Sequence, residues 1–287
     1  MPTASIGLPV FNGERYLNQA IESIHMQTFE DWELIIGDNS STDGTEQISR
    51  EWAGRDHRIR YWRHEENRGA AFNYNFVLSQ ARGAYLKWQA HDDVCGPRFL
   101  SSCIEVLDSD ASAVLAYPSP LDIDEAGAVI GPRDAGLDFG APSACERFRA
   151  VTGKAHACLA VFGVFRRQVF DADVRHGDYP SADRVLLAEI ALYGRLVEVP
   201  EKEYFHREHA QRYSQALKDK SANEQAAWFD PDRARRRQYP HWRRLQGYAS
   251  AISRAPVPLG DRVCCWYRLS RWSLAMTRQL VREVAPR

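Results

Sequence analysis

Tyr85-Leu86-Lys87-Trp88-Gln89-Ala90-His91-Asp92-Asp93-Val94-Cys95-Gly96-Pro97 opens with aromatic and apolar residues at strand spacing. It closes on a proline able to start a helix. Three polar side chains, His91, Asp92 and Asp93, fall where that strand ends. In an open α/β sheet the carboxyl end of a strand is where ligands bind. Adjacent carboxylates repel unless a cation or donors lie nearby, so the pair suggests a hard-metal ligand; capping of the helix near Pro97 is the alternative.

The neighbouring sequence supplies the sheet that this reading needs. Ser5–Phe11 alternates Ile6, Leu8 and Val10 with smaller residues, Asn12-Gly13 turns the chain, and Glu14–Gln27 has helical spacing. Trp32–Gly37 reads as a second strand, followed by the turn-rich Asp38–Thr45 and a helix to about Ala53. Ile59–Arg63 is a third strand, and Asn67-Arg68-Gly69 opens a helix to Gln80. After the strand at Tyr85 come a helix from Pro97 to about Leu107 and a strand at Ala113–Tyr117. Alternation of this kind predicts right-handed βαβ units, hence an α/β fold with a Rossmann-like, mostly parallel central sheet flanked by helices. The polar clusters after strands one, two and four would then share one sheet edge. No GxGxxG and no GxxxxGK[ST] occurs, which removes the best evidence for a dinucleotide or P-loop site.

Composition narrows the class further. The 287 residues with 44% apolar content suffice for one large domain with a helical appendage. From Asp230 onward there are thirteen Arg and no Lys against four acids, a net of +9 that leaves −10 for residues 1–229 of a chain whose total is −1. An acidic region holding a phosphate-bearing ligand requires a cation. No basic-then-apolar leader is evident, and the longest apolar run, Cys158–Phe165, is too short to cross a bilayer. The six Cys show no CxxC spacing and read as reduced structural thiols, so the expected location is the cytoplasm, with possible peripheral contact at the inner membrane face.

The segments Leu8-Pro9-Val10-Phe11-Asn12-Gly13-Glu14, Gln27–Thr45, Asn67-Arg68-Gly69 and Asp92–Pro97 together resemble family 2 glycosyltransferases, over roughly residues 4–215. That resemblance implies a GT-A fold and metal-dependent, inverting transfer from a nucleotide-sugar. It places Pro9, Phe11, Asn12 and Glu14 in the loop holding nucleobase and ribose, and Asp38 against the base. It also places Asn67 and Arg68 in the loop facing the nucleotide or its phosphates. Asp92 matches the metal-binding second acid of the family's DxD motif. The first acid is replaced by Ala90, which leaves one metal-binding carboxylate rather than two.

Beyond Tyr117 the sequence predicts a hairpin turning at Glu125–Gly127 and a Gly-rich acceptor-side loop at Asp134–Ala141. A helix at Ser143–Val151 and a strand at Cys158–Arg166 follow. Gly177–Asp183 leads into a helix over Arg184–Tyr193. An inverting transfer needs one carboxylate to take the acceptor proton, and the family places such an acid at this helix start. Asp183 is the candidate base, with Asp178 its rival and a helix-dipole role the alternative. Strand-like material at Arg195–Val199 and Glu203–Phe205 precedes His206-Arg207-Glu208-His209. His209 matches the family's RxH element, which makes it a second candidate metal ligand with Asp92; Mn²⁺ tolerates mixed oxygen and nitrogen ligation.

The expected domains are a catalytic unit over 1–217, with halves 1–117 and 118–217, and a basic helical extension over 218–287. Lys218–Gln225 reads as a linker, and helical spacing covers His241–Ile252 and Arg262–Val284. In the last stretch Cys265, Leu269, Trp272, Met276, Leu280 and Val284 share a face opposite Arg271, Arg278 and Arg282. That face either packs on the catalytic unit or meets an anionic membrane; no nucleic-acid reader motif is present. The expectation is a glycosyltransferase using Mn²⁺ or Mg²⁺, a nucleotide-diphosphate sugar and a carbohydrate or glycolipid acceptor. The alternatives are a non-catalytic nucleotide-sugar-binding or scaffold protein and a nucleotidyltransferase.

Overall fold

The computed structural model describes residues 1–133, 139–153, 156–212, 215 and 220–285. Strands β1 (Ala4–Val10), β2 (Trp32–Asp38), β3 (Ile59–Arg63) and β4 (Tyr85–Trp88) alternate with helices α1 (Leu17–His25), α2 (Thr45–Arg55) and α3 (Ala70–Gln80). All three pairings within the set β3-β2-β1-β4 are parallel. Then come β5 (Val94–Cys95), α4 (Phe99–Ser109), β6 (Ala113–Ile123), β7 (Val129–Pro132), α5 (Ala144–Gly153), β8 (Val164–Arg166), α6 (Ala182–Tyr193) and β9 (Arg195–Arg207). They continue the sheet as β8-β6-β9-β5, in which β6–β9 is parallel and the pairings of β8, β7 and β5 are antiparallel. The sheet is thus parallel where the nucleotide half was expected and mixed beyond it.

The alternation in β1 has a steric cause. Ala4, Ile6, Leu8 and Val10 face one core with Leu17, Ile21 and Ile24 of α1. The intervening small residues let α3 approach: a Cβ on Gly7 would lie 2.6 Å from Val77 Cγ2. The β1–β4 ladder stops at Gly7↔Trp88, while β1–β2 runs on to Val10↔Asp38. Past that point β1 and β4 part, at the position where strand order reverses, and this opens the crevice that such sheets use for ligands.

Several expectations need correction. Cys158–Arg166 is not one strand: Leu159–Phe162 is a 3₁₀ turn entered through Cys158 at φ 59°, and only Val164–Arg166 pairs. The two strand fragments after Arg195 are one strand, β9, whose register with β6 shifts between Pro118 and Pro120. The region read as a linker contains helix α7 (Ala222–Phe229), started by a capping box in which Ser221 and Glu224 satisfy each other's backbone N–H; Lys218 lies outside the described residues. That S-x-x-E signal was present in the sequence. The helix expected over Arg262–Val284 is two, α9 (Leu259–Ala275) and α10 (Thr277–Val284), preceded by α8 (Pro240–Arg254). The Gly-rich loop falls mostly on 134–138, and the expected domain boundary on 217, both outside the described residues.

The C-terminal helices share the main core. Tyr248, Ala251, Ile252, Cys265 and Leu269 pack in one cluster with Leu115, Phe148, Leu186 and Ile190. Cys145 on α5 and Cys264 on α9 form a disulfide with Cα atoms 5.9 Å apart, so the six cysteines are not all reduced thiols. Spacing could not show this, because the partners are 119 residues apart and meet only when α5 and α9 pack. Loop-closure entropy for such a separation stabilises by up to about 5 kcal/mol. Cys264→Ser should therefore lower the denaturation midpoint, and reductant should lower the wild-type midpoint but not that of the variant. Equal midpoints in urea melts would remove the bridge from the stability account.

Candidate functional site

The loop after β4 is held by β9. Asp93 is buried and accepts hydrogen bonds from Tyr204 Oη at 2.5 Å and the Arg207 backbone N–H at 2.8 Å. Burial, reinforced by the charge of Asp92, raises its pKa above the usual carboxylate value. Asp93 is thus a strut rather than a helix cap. Arg207, 1% exposed, spreads its guanidinium over Asp92 O (2.9 Å), Asp124 O and Glu125 O (both 3.0 Å) and Gln19 Oε1 (2.7 Å), above the Tyr16 ring. A planar fork of five donors suits this task and a lysine does not.

With the loop so fixed, Asp92 Oδ2 accepts from His209 Nε2 at 2.8 Å. Burial by itself would raise the Asp92 pKa; the adjacent His91 charge and the hydrogen bond and charge of His209 outweigh it and hold the carboxyl below its ordinary value. His209 Nδ1 is buried without a hydrogen-bond partner. One carboxylate oxygen and one imidazole nitrogen thus converge where the resemblance expects a divalent ion, and this donor set fits Mn²⁺ better than Mg²⁺, which prefers oxygen throughout. His206 and His209 lie at and beyond the end of β9 rather than on a helix.

Asp122, His206 and Glu208 also have ligand atoms within 4.8 Å of one another. Two guanidiniums already occupy them. Arg133 binds Asp122 and Glu208, and Arg212 binds Glu208 at 2.5 Å and donates to His206 Nε2 at 2.8 Å. With His206 Nδ1 on Asp122 at 3.1 Å, this is a compensated ion-pair network rather than an open ligand set.

The loops after β1 and β2 are knitted together. Asn12, at φ 52°, accepts from Thr42 N at 2.8 Å through Oδ1; Glu14 Oε2 accepts from Gly44 N at 2.7 Å. Phe11 remains 43% exposed at the crevice end of β1, while Pro9 is buried opposite Gly37. Asp38 is fully buried, with donors from Ser41 N (2.8 Å), Tyr61 Oη (2.7 Å) and Arg63 (3.0 Å) on its carboxylate. Oδ2 thus has two donors and Oδ1 one, on a side chain closed off from solvent. Asn67 Oδ1 accepts from Asn39 Nδ2 (2.8 Å) and Gly69 N (2.9 Å), which makes it a loop fastener. Arg68 stacks on Phe72 at 3.7 Å. Gly69, at φ 81°, leaves no room for a Cβ, which would meet Phe229 O of α7 at 2.3 Å.

A cleft of about 510 Å³ is lined by Asn67, Arg68, Phe72, His176, Asp178 and Phe229, among others. Asp178 is engaged by Arg233 at 2.5 Å and Arg243 at 2.6 Å. Asp183, in the first turn of α6, has its side chain 39% exposed and bonds through Oδ1 to His176 Nε2 at 2.6 Å. Burial raises the pKa of Tyr74, and the charges of Asp183, Asp92 and Asp93 add to that rise. The sequence reading missed Arg207, Asn39 and His176. Only Arg207 carried a signal, as the arginine of the RxH element.

An open α/β sheet flanked by helices, with polar loops converging at its switch point, is the architecture of a GT-A-type sugar-transfer protein. Residues 5–173 match the family Glycosyl transferase family 2, and the chain belongs to that family. It is 35% identical over 127 residues to EpsE of Bacillus subtilis (strain 168), a protein provisionally named a glycosyltransferase; the match covers 44% of this chain and 46% of that one. It is 28% identical over 160 residues to an Escherichia coli chondroitin synthase, covering 54% of this chain and 23% of that one. The chain thus spans less than half the length of these curated relatives. In fold it is similar to S. aureus TarS 1–349 in complex with UDP-GlcNAc, with a TM-score of 0.68 at 15% identity, covering 99% of this chain and 80% of that one. It is also similar to the mannosyltransferase PcManGT from Pyrobaculum calidifontis in complex with GDP-Man and Mn²⁺, with a TM-score of 0.54 at 17% identity, covering 98% and 86%.

Arg207→Met should cost at least about 1–3 kcal/mol, the cost of leaving a buried acceptor unsatisfied, because three carbonyls and Gln19 lose their donor. Arg207→Lys should recover only part of that. Denaturant melts of both variants test this, and wild-type stability in Arg207→Met would contradict the bracing role.

Proposed function

We propose that this chain transfers a glycosyl group from a nucleoside-diphosphate sugar to an acceptor hydroxyl with inversion at the anomeric carbon. The observation that carries the reading is the pairing of Asp92 with His209, together with the partly exposed carboxylate of Asp183 at the start of α6. Phe11, Asn12, Glu14 and Arg68 hold the nucleotide and its diphosphate, with Pro9, Asp38 and Asn67 shaping the loops that carry them. Asp92 and His209 hold the divalent cation. Mn²⁺ or Mg²⁺ supplies positive charge that offsets the charge gathering on the departing diphosphate.

Asp183 takes the proton of the acceptor hydroxyl as that oxygen attacks the anomeric carbon. The O–H bond breaks, the new C–O bond forms, and the bond to the diphosphate breaks with its electron pair leaving on the nucleotide. Asp178 is a poorer candidate, since two guanidiniums hold its carboxylate. A non-catalytic nucleotide-sugar-binding role remains the competing reading, and turnover decides between them. Asp183→Asn should bind the donor with unchanged affinity by calorimetry, with UDP-GlcNAc and GDP-mannose as probes, yet lose on the order of a hundredfold or more in transfer rate. Asp92→Asn should lose Mn²⁺ binding, and EDTA should abolish turnover that Mn²⁺ restores. Full activity in excess EDTA, or in Asp183→Asn, would overturn the respective assignment.

We further propose that the acceptor is carried at an anionic membrane, on the strength of the outward face of α9 and α10. The face expected to be apolar is largely used by the core, through Cys265, Leu269 and Leu280. The opposite face also carries Val263, Trp266, Leu274 (71% exposed) and Val281, beside exposed Arg271, Arg278 and Arg282. The acids of these helices face the body: Asp261 binds Ser143 and Glu283 binds His241. Such a face suits anionic headgroups, each basic residue contributing about 1 kcal/mol near the surface. No helix among the described residues is long and apolar enough to cross a membrane. The protein should co-sediment with phosphatidylserine-containing vesicles at low salt and dissociate as salt rises. Trp266→Ser/Leu274→Ser should abolish that binding without unfolding. Wild-type sedimentation of the double variant would exclude this face.

A further inference from the structure

His176 is held in a way that core packing does not require. Asn75 of α3 clamps its backbone from both sides: Asn75 Oδ1 accepts from His176 N and Asn75 Nδ2 donates to His176 O, each at 2.9 Å. The imidazole, with its side chain 2% exposed, lies between the stacked rings of Tyr74 (centroids 4.9 Å apart, 22° between planes) and Phe229 (6.2 Å, 17°). It can neither translate nor turn over without breaking these contacts.

Its two ring nitrogens face two acceptors. Nδ1 lies 2.9 Å from Gly177 O and Nε2 lies 2.6 Å from Asp183 Oδ1. Both contacts fix the plane of the ring, and the Nε2–Oδ1 contact fixes the Asp183 carboxyl group against it. Two charged neighbours are engaged elsewhere: Asp178 by Arg233 and Arg243, and Arg184 by Val151 O and His156 O. Asp183 Oδ2 has no hydrogen-bond partner among the described residues, on a side chain 39% exposed.

We infer that His176 is the positioning residue for the base: it binds one oxygen of Asp183 and aims the other oxygen at the acceptor. This rests on the reading of Asp183 as base. The acceptor proton ends on Asp183 Oδ2 and passes from there to solvent. Neither Asn75 nor His176 lies in the segments that carry the family resemblance in this sequence.

The test pairs kinetics with a substrate-free signal. His176→Leu should keep KM for the donor probes UDP-GlcNAc and GDP-mannose while kcat falls tenfold or more. His176→Gln, whose amide can donate to Oδ1 from about the place of Nε2, should recover most of the loss. Nitrogen-15 NMR, with His176 assigned by its disappearance in His176→Gln, should show an Nε2 signal that moves in Asp183→Asn. An unchanged kcat in His176→Leu, no recovery in a folded His176→Gln, or an Nε2 signal unmoved in Asp183→Asn would each overturn the inference. The reading of Asp183 as base fails separately, through an active Asp183→Asn.

Discussion

The buried guanidinium of Arg207 is the interaction on which the candidate site depends. Asp92 and His209 are 117 residues apart, one in the loop after β4 and the other just past β9. Two flexible segments do not hold a pair of ligand atoms within 2.8 Å of each other unless something rigid ties the segments first. Asp93 ties them through Tyr204 and the Arg207 backbone, and the Arg207 side chain ties both to α1 and to the turn at Asp124. The β5–β9 pairing of Val94–Cys95 with Tyr204–Phe205 extends the same seam. Burying so much charge is costly unless each donor is used, and here every arm of the guanidinium finds an oxygen.

This bracing bears on the proposed cation site, where one acid stands in place of the family pattern's two. Ala90 removes the first acid of the DxD motif, but Asp92 is pre-oriented by its backbone contact to Arg207 and by His209. In that proposed site an imidazole beside the single carboxylate would favour a metal that accepts nitrogen over all-oxygen coordination. The compensated network of Asp122, His206 and Glu208 with Arg133 and Arg212 sits behind it as support. Its acids are neutralised by guanidiniums, so it reinforces the end of β9 without competing for the cation.

A second constraint joins the acceptor side to the helical C-terminus. Helices α5 and α6 share a core with α8 and α9, the Cys145–Cys264 bridge links α5 to α9, and Arg233 and Arg243 bind Asp178 beside the cleft. Phe229 of α7 stacks on His176, and its carbonyl abuts Gly69 at the start of α3. Helix α8, on which α9 and α10 pack, is itself packed on α6, the helix that carries Asp183.

How much of this was legible in the sequence follows from the range of each signal. The period-2 and period-3.6 patterns of β1 to α4, the turn residues after each strand and the family motifs are local, and they were enough for the α/β order, the crevice and Asp92, His209 and Asp183 as candidates. The capping box at Ser221 was equally local and was passed over because its surroundings are polar. What required the tertiary structure is everything made by partners far apart in the chain: the Cys145–Cys264 bridge, the hydrogen bonds of Tyr61 and Arg63 to Asp38, the commitment of Asp178 to two arginines, and the His176 backbone clamped by Asn75. Residue types alone made Asp38, Asp178 and Asp183 equivalent carboxylates. Burial and hydrogen-bond partners separate them, because whether a carboxylate can act depends on which of its lone pairs the fold has already filled.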